Sequence, residues 1–155
     1  MTEFKLQLDA KAWALLMALQ ADGRAPLKTL AQAAGLSVPA TVERLKRLTE
    51  AGVVSAIGAE IDPALAGYPV RAIVSSTVQQ PGKKAFLDKL RRAPEVLECH
   101  HVAGADSYVM TVVSASLADL ERFLASINGY GETRTSIVFS TPIPRRGLVA
   151  PGAAR

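Results

Sequence analysis

The spacing of apolar residues changes period near Asp62, and that change constrains the fold more than any other feature of the chain. Before it, apolar residues recur every three or four positions in short runs closed by glycine. After it, β-branched alternation takes over and is interrupted twice by helical spacing. Pro63, Gly67 and Pro69 in "DPALAGYP" separate the two regimes. The chain therefore reads as a domain of residues 1–61, a domain of residues 62–145 and a mobile tail of residues 146–155 that lacks periodicity.

In the first part, Asp9 suits a helix N-cap, and Ala10 to Ala21 follows with Leu15, Leu16 and Leu19 on one face. Gly23 suits a left-handed helix end, and Pro26 opens a second helix, Leu27 to Ala34, with Leu27, Leu30, Ala31 and Ala34 spaced for burial. Gly35 supplies a turn that a bulkier residue resists. Ser37 then caps a third helix with Pro39 in its first turn. Its spacing turns Val42, Leu45 and Leu48 inward and leaves Pro39, Ala40, Glu43, Arg44, Lys46 and Arg47 outward. Gly52 closes it, and Val53 to Ile61 continues as an extended segment.

The second part reads strand, helix, strand, strand, helix, strand. The strands are Val70 to Val78, Glu95 to Gly104, Ser107 to Val113 and Glu132 to Thr141, and the helices are Lys84 to Arg92 and Leu117 to Ile127. This βαββαβ order is the ferredoxin-like arrangement, two helices on one face of a four-stranded antiparallel sheet. Both alternation classes of the strands hold apolar residues: Ile73, Val109, Val113 and Val138 oppose Val74, Met110, Val112 and Ile137. A sheet face so apolar predicts coverage by a second copy, hence an obligate homodimer formed mainly by residues 63–145.

Composition narrows the setting. At 49% hydrophobic and 21% charged residues, the chain is globular rather than disordered. The single cysteine, Cys99, offers no staple and points to a reducing compartment. The N-terminal "MTEFKLQLDAKAW" lacks the layout of a signal peptide, and no apolar run spans a bilayer, so the expected location is the cytoplasm, away from membranes. The net charge of +4 is diffuse: residues 1–60 carry seven bases and six acids, residues 61–155 eleven and eight. Any affinity for an anionic partner has to come from where individual bases sit.

Three of them, Arg44, Lys46 and Arg47, sit on the third helix. A short glycine-containing corner between two helices, the second exposed and basic, fits a helix-turn-helix whose second helix enters the major groove of double-stranded DNA. Ser37, Pro39, Ala40, Thr41 and Glu43 occupy its N-terminal end, where base edges are met, with Arg44 one turn further. Arg44 suits guanine or phosphate, and Lys46 and Arg47 suit phosphate. The same corner also occurs in folds that never touch nucleic acid. "CHH" at Cys99 to His101 reads as strand residues rather than a metal set: His100 and His101 point to opposite faces, and Cys99 and His101, which share one, are too few unless a second copy supplies a further ligand. No phosphate loop, nucleophile elbow or spaced carboxylate pair is present, so neither catalysis nor a cofactor is expected.

"LDAKAWALLMALQADGR", "LAQAAGLSVPATVERLKRLTEAGVV", "IDPALAGYP", "PEVLECHHVAGADSYVMTV" and "TRTSIVFST" follow one another along nearly the whole chain. Together they resemble the leucine-responsive/asparagine (Lrp/AsnC) family, the feast-or-famine transcription regulators. The resemblance implies an α+β protein with an N-terminal helix-turn-helix domain of winged-helix type and a C-terminal ligand-responsive βαββαβ domain. It further implies dimers assembling into octamers and control by a small effector, usually an amino acid. By position, the family's effector site maps to Gly104, Asp106 and Ser107 in "GADSY" and to Thr133, Thr135 and Ser136 in "TRTS". A glycine turn that admits a carboxylate, an aspartate for an ammonium and hydroxyls for the remainder suit that chemistry. The chain departs from the pattern at Ser107, where the family often has an acid, with Asp106 one place earlier; an aspartate also serves a turn by itself. Ala12 and Trp13 replace residues that are commonly polar. Relatives of this fold include tetrapyrrole decarboxylases, so an enzyme and a metabolite sensor without a DNA target are the alternative readings. The basic third helix favours the regulator.

Overall fold

The computed structural model describes residues 8–152. They form two compact units, one running to Glu60 and resuming at Pro144, the other spanning Ile61–Ile143.

The first unit holds α1 (Ala10–Ala21), α2 (Leu27–Ala34) and α3 (Val38–Glu50). Asp9 caps α1, its carboxylate accepting from the Ala12 amide at 2.8 Å. Gly23 does not take the left-handed conformation expected of it. Asp22 makes that turn, extended at φ −145°, with its carboxylate accepting from the Arg24 amide at 2.8 Å. Gly35 does close α2 at φ 60°, ψ 45°, and the Leu36 amide reaches back to the Ala31 carbonyl at 2.9 Å. Two apolar clusters hold the helices together. Leu15, Leu30 and Ala34 are joined by Leu45, while Ala12, Leu16 and Leu48 are joined by Trp13 and Val54. Ala12 and Trp13 thus belong to the contact between α1 and the end of α3, a small residue beside a large one.

The segment after α3 is not a strand. The amides of Val53 and Val54 both return to the Leu48 carbonyl, and residues 55–62 form no ladder. Leu148, in the segment expected to be mobile, is bound to α1: the Gln20 side-chain amide donates to its carbonyl at 3.0 Å and accepts from its amide at 2.7 Å. A polar glutamine on the outer side of α1 gave no periodic signal for this pairing.

The second unit contains β1 (Val70–Val78), α4 (Lys83–Leu90), β2 (Val96–His101), β3 (Tyr108–Ser114), α5 (Leu117–Ile127), a 3-10 turn (Asn128–Tyr130) and β4 (Gly131–Ile137). The antiparallel sheet has the order β2-β3-β1-β4. Ala72, Val74 and Val78 of β1 and Met110 and Val112 of β3 pack beneath Phe86, Leu90, Leu120, Phe123 and Ile127 of the helices. The opposite face carries Ile73, Val109 and Val113 interleaved with Arg71, Ser75, Thr77 and Thr111, so it is less uniformly apolar than the strand pattern suggested. β2 and β4 are shorter than expected. The turn closes already at Val102, whose amide donates to the Ser107 carbonyl, and beyond Ile137 only the Val138 amide still reaches β1, at the Arg71 carbonyl. Gly131 lies so close to β1 that a Cβ there would stand 2.1 Å from the Thr77 carbonyl oxygen. β4 therefore begins where only glycine fits.

Candidate nucleic-acid interface and effector cleft

Ser37 caps α3 through its hydroxyl, which accepts from the Ala40 amide at 3.4 Å, and Pro39 fits the first turn because its missing N–H has no partner to lose there. Thr41 is fully buried, not presented as expected. Its hydroxyl donates to the Ser37 carbonyl at 3.0 Å, so the polar group is satisfied inside the corner. Val42, expected inside, is 45% exposed, and Val38 is exposed beside it. The buried stripe is therefore Thr41, Leu45 and Leu48, a rotation of the expected face by one residue at its N-terminal end.

The outward face comprises Val38, Pro39, Ala40, Val42, Glu43, Lys46 and Arg47. Arg47 pairs with Glu43 at 3.0 Å and Lys46 with Glu50 at 3.8 Å, both exposed one-turn pairs. Such pairs stabilise a helix by only a few tenths of a kcal/mol, roughly, so phosphate competes for these cations on easy terms. Arg44 is half-buried, and its guanidinium donates to Asp9 at 2.6 Å. That hydrogen bond, with the one from the Ala12 amide next, holds the Asp9 carboxyl below the ordinary carboxylate range. Local sequence marks Asp9 only as a cap. Its link to Arg44, 35 residues away, had no signal in local spacing.

The residues expected to hold an effector run from the β2–β3 turn and the start of β3 along β4 to mid-sheet, on two different sides of the sheet. Gly104 has φ +146° with open space where a Cβ would stand. Asp106 accepts from the Arg134 guanidinium and lies 3.4 Å from the Thr77 hydroxyl, which donates to the Ala105 carbonyl. Arg134 stands opposite Ser75 and Ser136 opposite Ile73, on the helix-free face. Thr133 and Thr135 stand opposite Ser76 and Val74, on the helix side, where the Thr133 hydroxyl donates to Asn128 at 2.9 Å. Ser107 is turned to the backbone of β1, accepting from the Val78 amide and donating to the Val78 carbonyl, each at 3.3 Å. A cleft of about 510 Å³ opens beside this cluster. Thr77, Gln79, Gly82, Asn128 and Glu132 line it, and it includes none of the residues expected to hold the effector. Arg134 and Thr77 were not among the expected residues: the β1–β4 register puts Arg134 on the face of Thr77, and the sheet order brings both to Asp106.

Cys99 faces the core beside Met110, and burial pushes its thiol pKa up. His101 stacks against Tyr108 with ring centroids 5.2 Å apart, and His100 lies 3.6 Å from Glu98 on the other face. Among the described residues, no three His, Cys, Asp or Glu side chains gather to hold a metal ion.

Residues 8–49 match the AsnC-type helix-turn-helix domain and residues 71–148 the Lrp/AsnC ligand binding domain. The chain is 39% identical to the transcriptional regulator LrpA of Mycobacterium tuberculosis, covering 82% of this chain and 87% of that one. It is 28% identical to the regulator LrpC of Bacillus subtilis, covering 87% and 94%. Its fold superposes on the structure of LrpC with a TM-score of 0.85, covering 90% of this chain and all of the other. A feast or famine regulatory protein from M. tuberculosis, complexed with L-methionine, is 37% identical and superposes with a TM-score of 0.83 over 93% of this chain and all of that one.

Proposed function

The chain belongs to the Lrp/AsnC family of DNA-binding transcription regulators, and from that premise we propose that α3 is its reading helix and that an amino acid is its effector. Pro39, Ala40 and Glu43, with Val38 and Val42, face the base edges; Ser37 stands at the helix start, where free amides favour a phosphate. The exposed valines suit thymine methyl groups. Arg44 contributes from the edge of this face, steadied by Asp9, while Lys46 and Arg47 hold phosphates. The observation that carries the reading is the outer face of α3: cations in weak, exposed pairs beside an apolar tip, following a left-handed glycine corner.

The effector is proposed to bind at the sheet end around Gly104, Asp106 and Ser107, with Thr133, Thr135 and Ser136 from β4. The L-methionine complex of the feast or famine relative supports an amino acid as ligand. The helix-free sheet face, with the half-buried Ile73 and Val109, is the proposed seat of a second copy, giving a two-fold dimer that presents two reading helices to a pseudo-palindromic site and assembles further into octamers. Effector binding would favour one assembly over another and so reset the reading helices. The protein acts as a regulator rather than an enzyme, in keeping with the names of its relatives. A cytoplasmic location fits the finding that no helix among the described residues is long and apolar enough to cross a membrane.

The test is footprinting of the full-length protein on DNA upstream of its own coding sequence, with and without L-methionine. A discrete protected site that shifts or changes in affinity with methionine is expected. Binding that spreads evenly over all sequences would overturn the reading.

A further inference from the structure

α4 concentrates charge that the reading helix does not account for. Residues 83–92 hold Lys83, Lys84, Lys89, Arg91 and Arg92 against the single acid Asp88, a surplus equal to the net charge of +4 of the entire chain. Phe86 and Leu90 bury the inner side of the helix in the core, which holds Lys84, Lys89, Arg91 and Arg92 in solvent. Arg91 is bound to Asp88 at 2.7 Å. Among the described residues, no carboxylate lies within ion-pair distance of Lys83, Lys84, Lys89 or Arg92. On α3 the corresponding cations all have carboxylate partners.

An adjoining groove of about 710 Å³ between α4 and α5 has Lys89, Arg92 and Arg122 on its walls. Its acids Asp88 and Asp119 are taken up by Arg91 and Arg122, and Glu95 is the remaining one. From Lys84 to Lys89 the helix rises roughly 7.5 Å, and Arg92 follows in the turn after it. A duplex presents one phosphate charge per about 1.7 Å of axis, so exposed cations spread over this stretch can meet more than one phosphate. The apolar side of α4 is already buried, so the helix has no face to insert into a lipid surface.

We propose that α4 is a second DNA contact, a sequence-independent phosphate surface on the domain that reads no bases. The inference rests on the DNA-binding reading but concerns a different surface from α3. Flexible lysines and an exposed arginine carry no base code; they add affinity and salt dependence. DNA that extends past the segment read by α3 should therefore bind more tightly than the segment alone.

The experiment compares the full-length protein with a K84Q/K89Q/R92Q variant on two duplexes. One carries only the footprinted core, about two helical turns; the other carries the same core with long flanks. The variant should match wild type on the short duplex and bind the long one more weakly. With three phosphate contacts gone, the salt slope on the long duplex should fall by about 2.7, so that raising salt from 50 to 200 mM costs the variant about fortyfold less affinity than it costs wild type. Equal affinity of the two proteins on the long duplex overturns the proposal, and so does an equal loss on both duplexes. Loss of DNA in favour of phosphatidylserine vesicles or RNA would assign α4 to another polyanion. Failure of wild type to select the core would overturn the reading of α3 itself, a different result.

Discussion

Arg44 of α3 donates to the Asp9 carboxylate at 2.6 Å, and the same carboxylate oxygen accepts from the Ala12 amide that opens α1. One side chain thus caps one helix and anchors another. The Asp9 carboxyl titrates below the ordinary range, first because of Arg44 and then because of Ala12. A depressed folded value stabilises the protein above the unfolded carboxylate range, and this contribution disappears as pH falls through the folded value. D9N keeps a capping oxygen but loses the charge. Its melting temperature should lie below that of wild type near neutrality, and the gap should narrow progressively in acid. A gap independent of pH would show that the carboxylate charge contributes nothing.

Thr41 tests whether the corner or the groove owns the first turn of α3. It is buried, with its hydroxyl on the Ser37 carbonyl, which also accepts the Thr41 amide at 2.9 Å. T41V removes the hydroxyl donor without orphaning that carbonyl. It should cost on the order of 1 kcal/mol of stability, read by urea unfolding, and leave site discrimination unchanged. A change in base preference at one position would return Thr41 to the interface.

Gly131 is where β4 meets β1. G131A drives a Cβ toward the Thr77 carbonyl, so β4 has to move or the side chain is excluded. Overpacking of this kind costs roughly 1–3 kcal/mol. Because Thr77 and Arg134 flank Asp106, the variant should also weaken the methionine response, measured by calorimetry on the folded fraction. An unchanged melting temperature would contradict the close approach.

Arg134 already occupies the Asp106 carboxylate. An amino-acid ammonium reaching Asp106 has to displace this guanidinium. Exposed pairs are worth about 1 kcal/mol or less, so R134Q should tighten L-methionine binding by up to about fivefold. A loss of binding would instead make Arg134 a direct contact for the ligand carboxylate.

Legibility in the sequence followed the range of the physical signal. The helices α1, α2 and α5 and the strand β1 are local patterns, readable from the cap at Asp9, the turn at Gly35, the apolar spacing of Leu117 to Ile127 and the alternation of Val70 to Val78. The order βαββαβ fixed the topology because so few connections satisfy it. Thr41 and Val42 were exchanged because hydropathy ranks valine inside, while a threonine bonded to the carbonyl four residues back is equally at home there. The pairs Asp9–Arg44, Gln20–Leu148 and Asp106–Arg134 join residues far apart in the chain, and no spacing rule reports them. Within the candidate site, the glycine turn and the hydroxyls could be located by position. Their division between two faces of the sheet required the register.

The most direct test of the reading helix is the affinity ratio between the footprinted core and a scrambled duplex at fixed salt. R44A should reduce that ratio by about tenfold or more, whereas K46A and R47A should each weaken both duplexes alike and lower the salt slope by about one. An unchanged ratio for R44A, together with unchanged affinities for K46A and R47A, would contradict the assignment of α3 to the DNA.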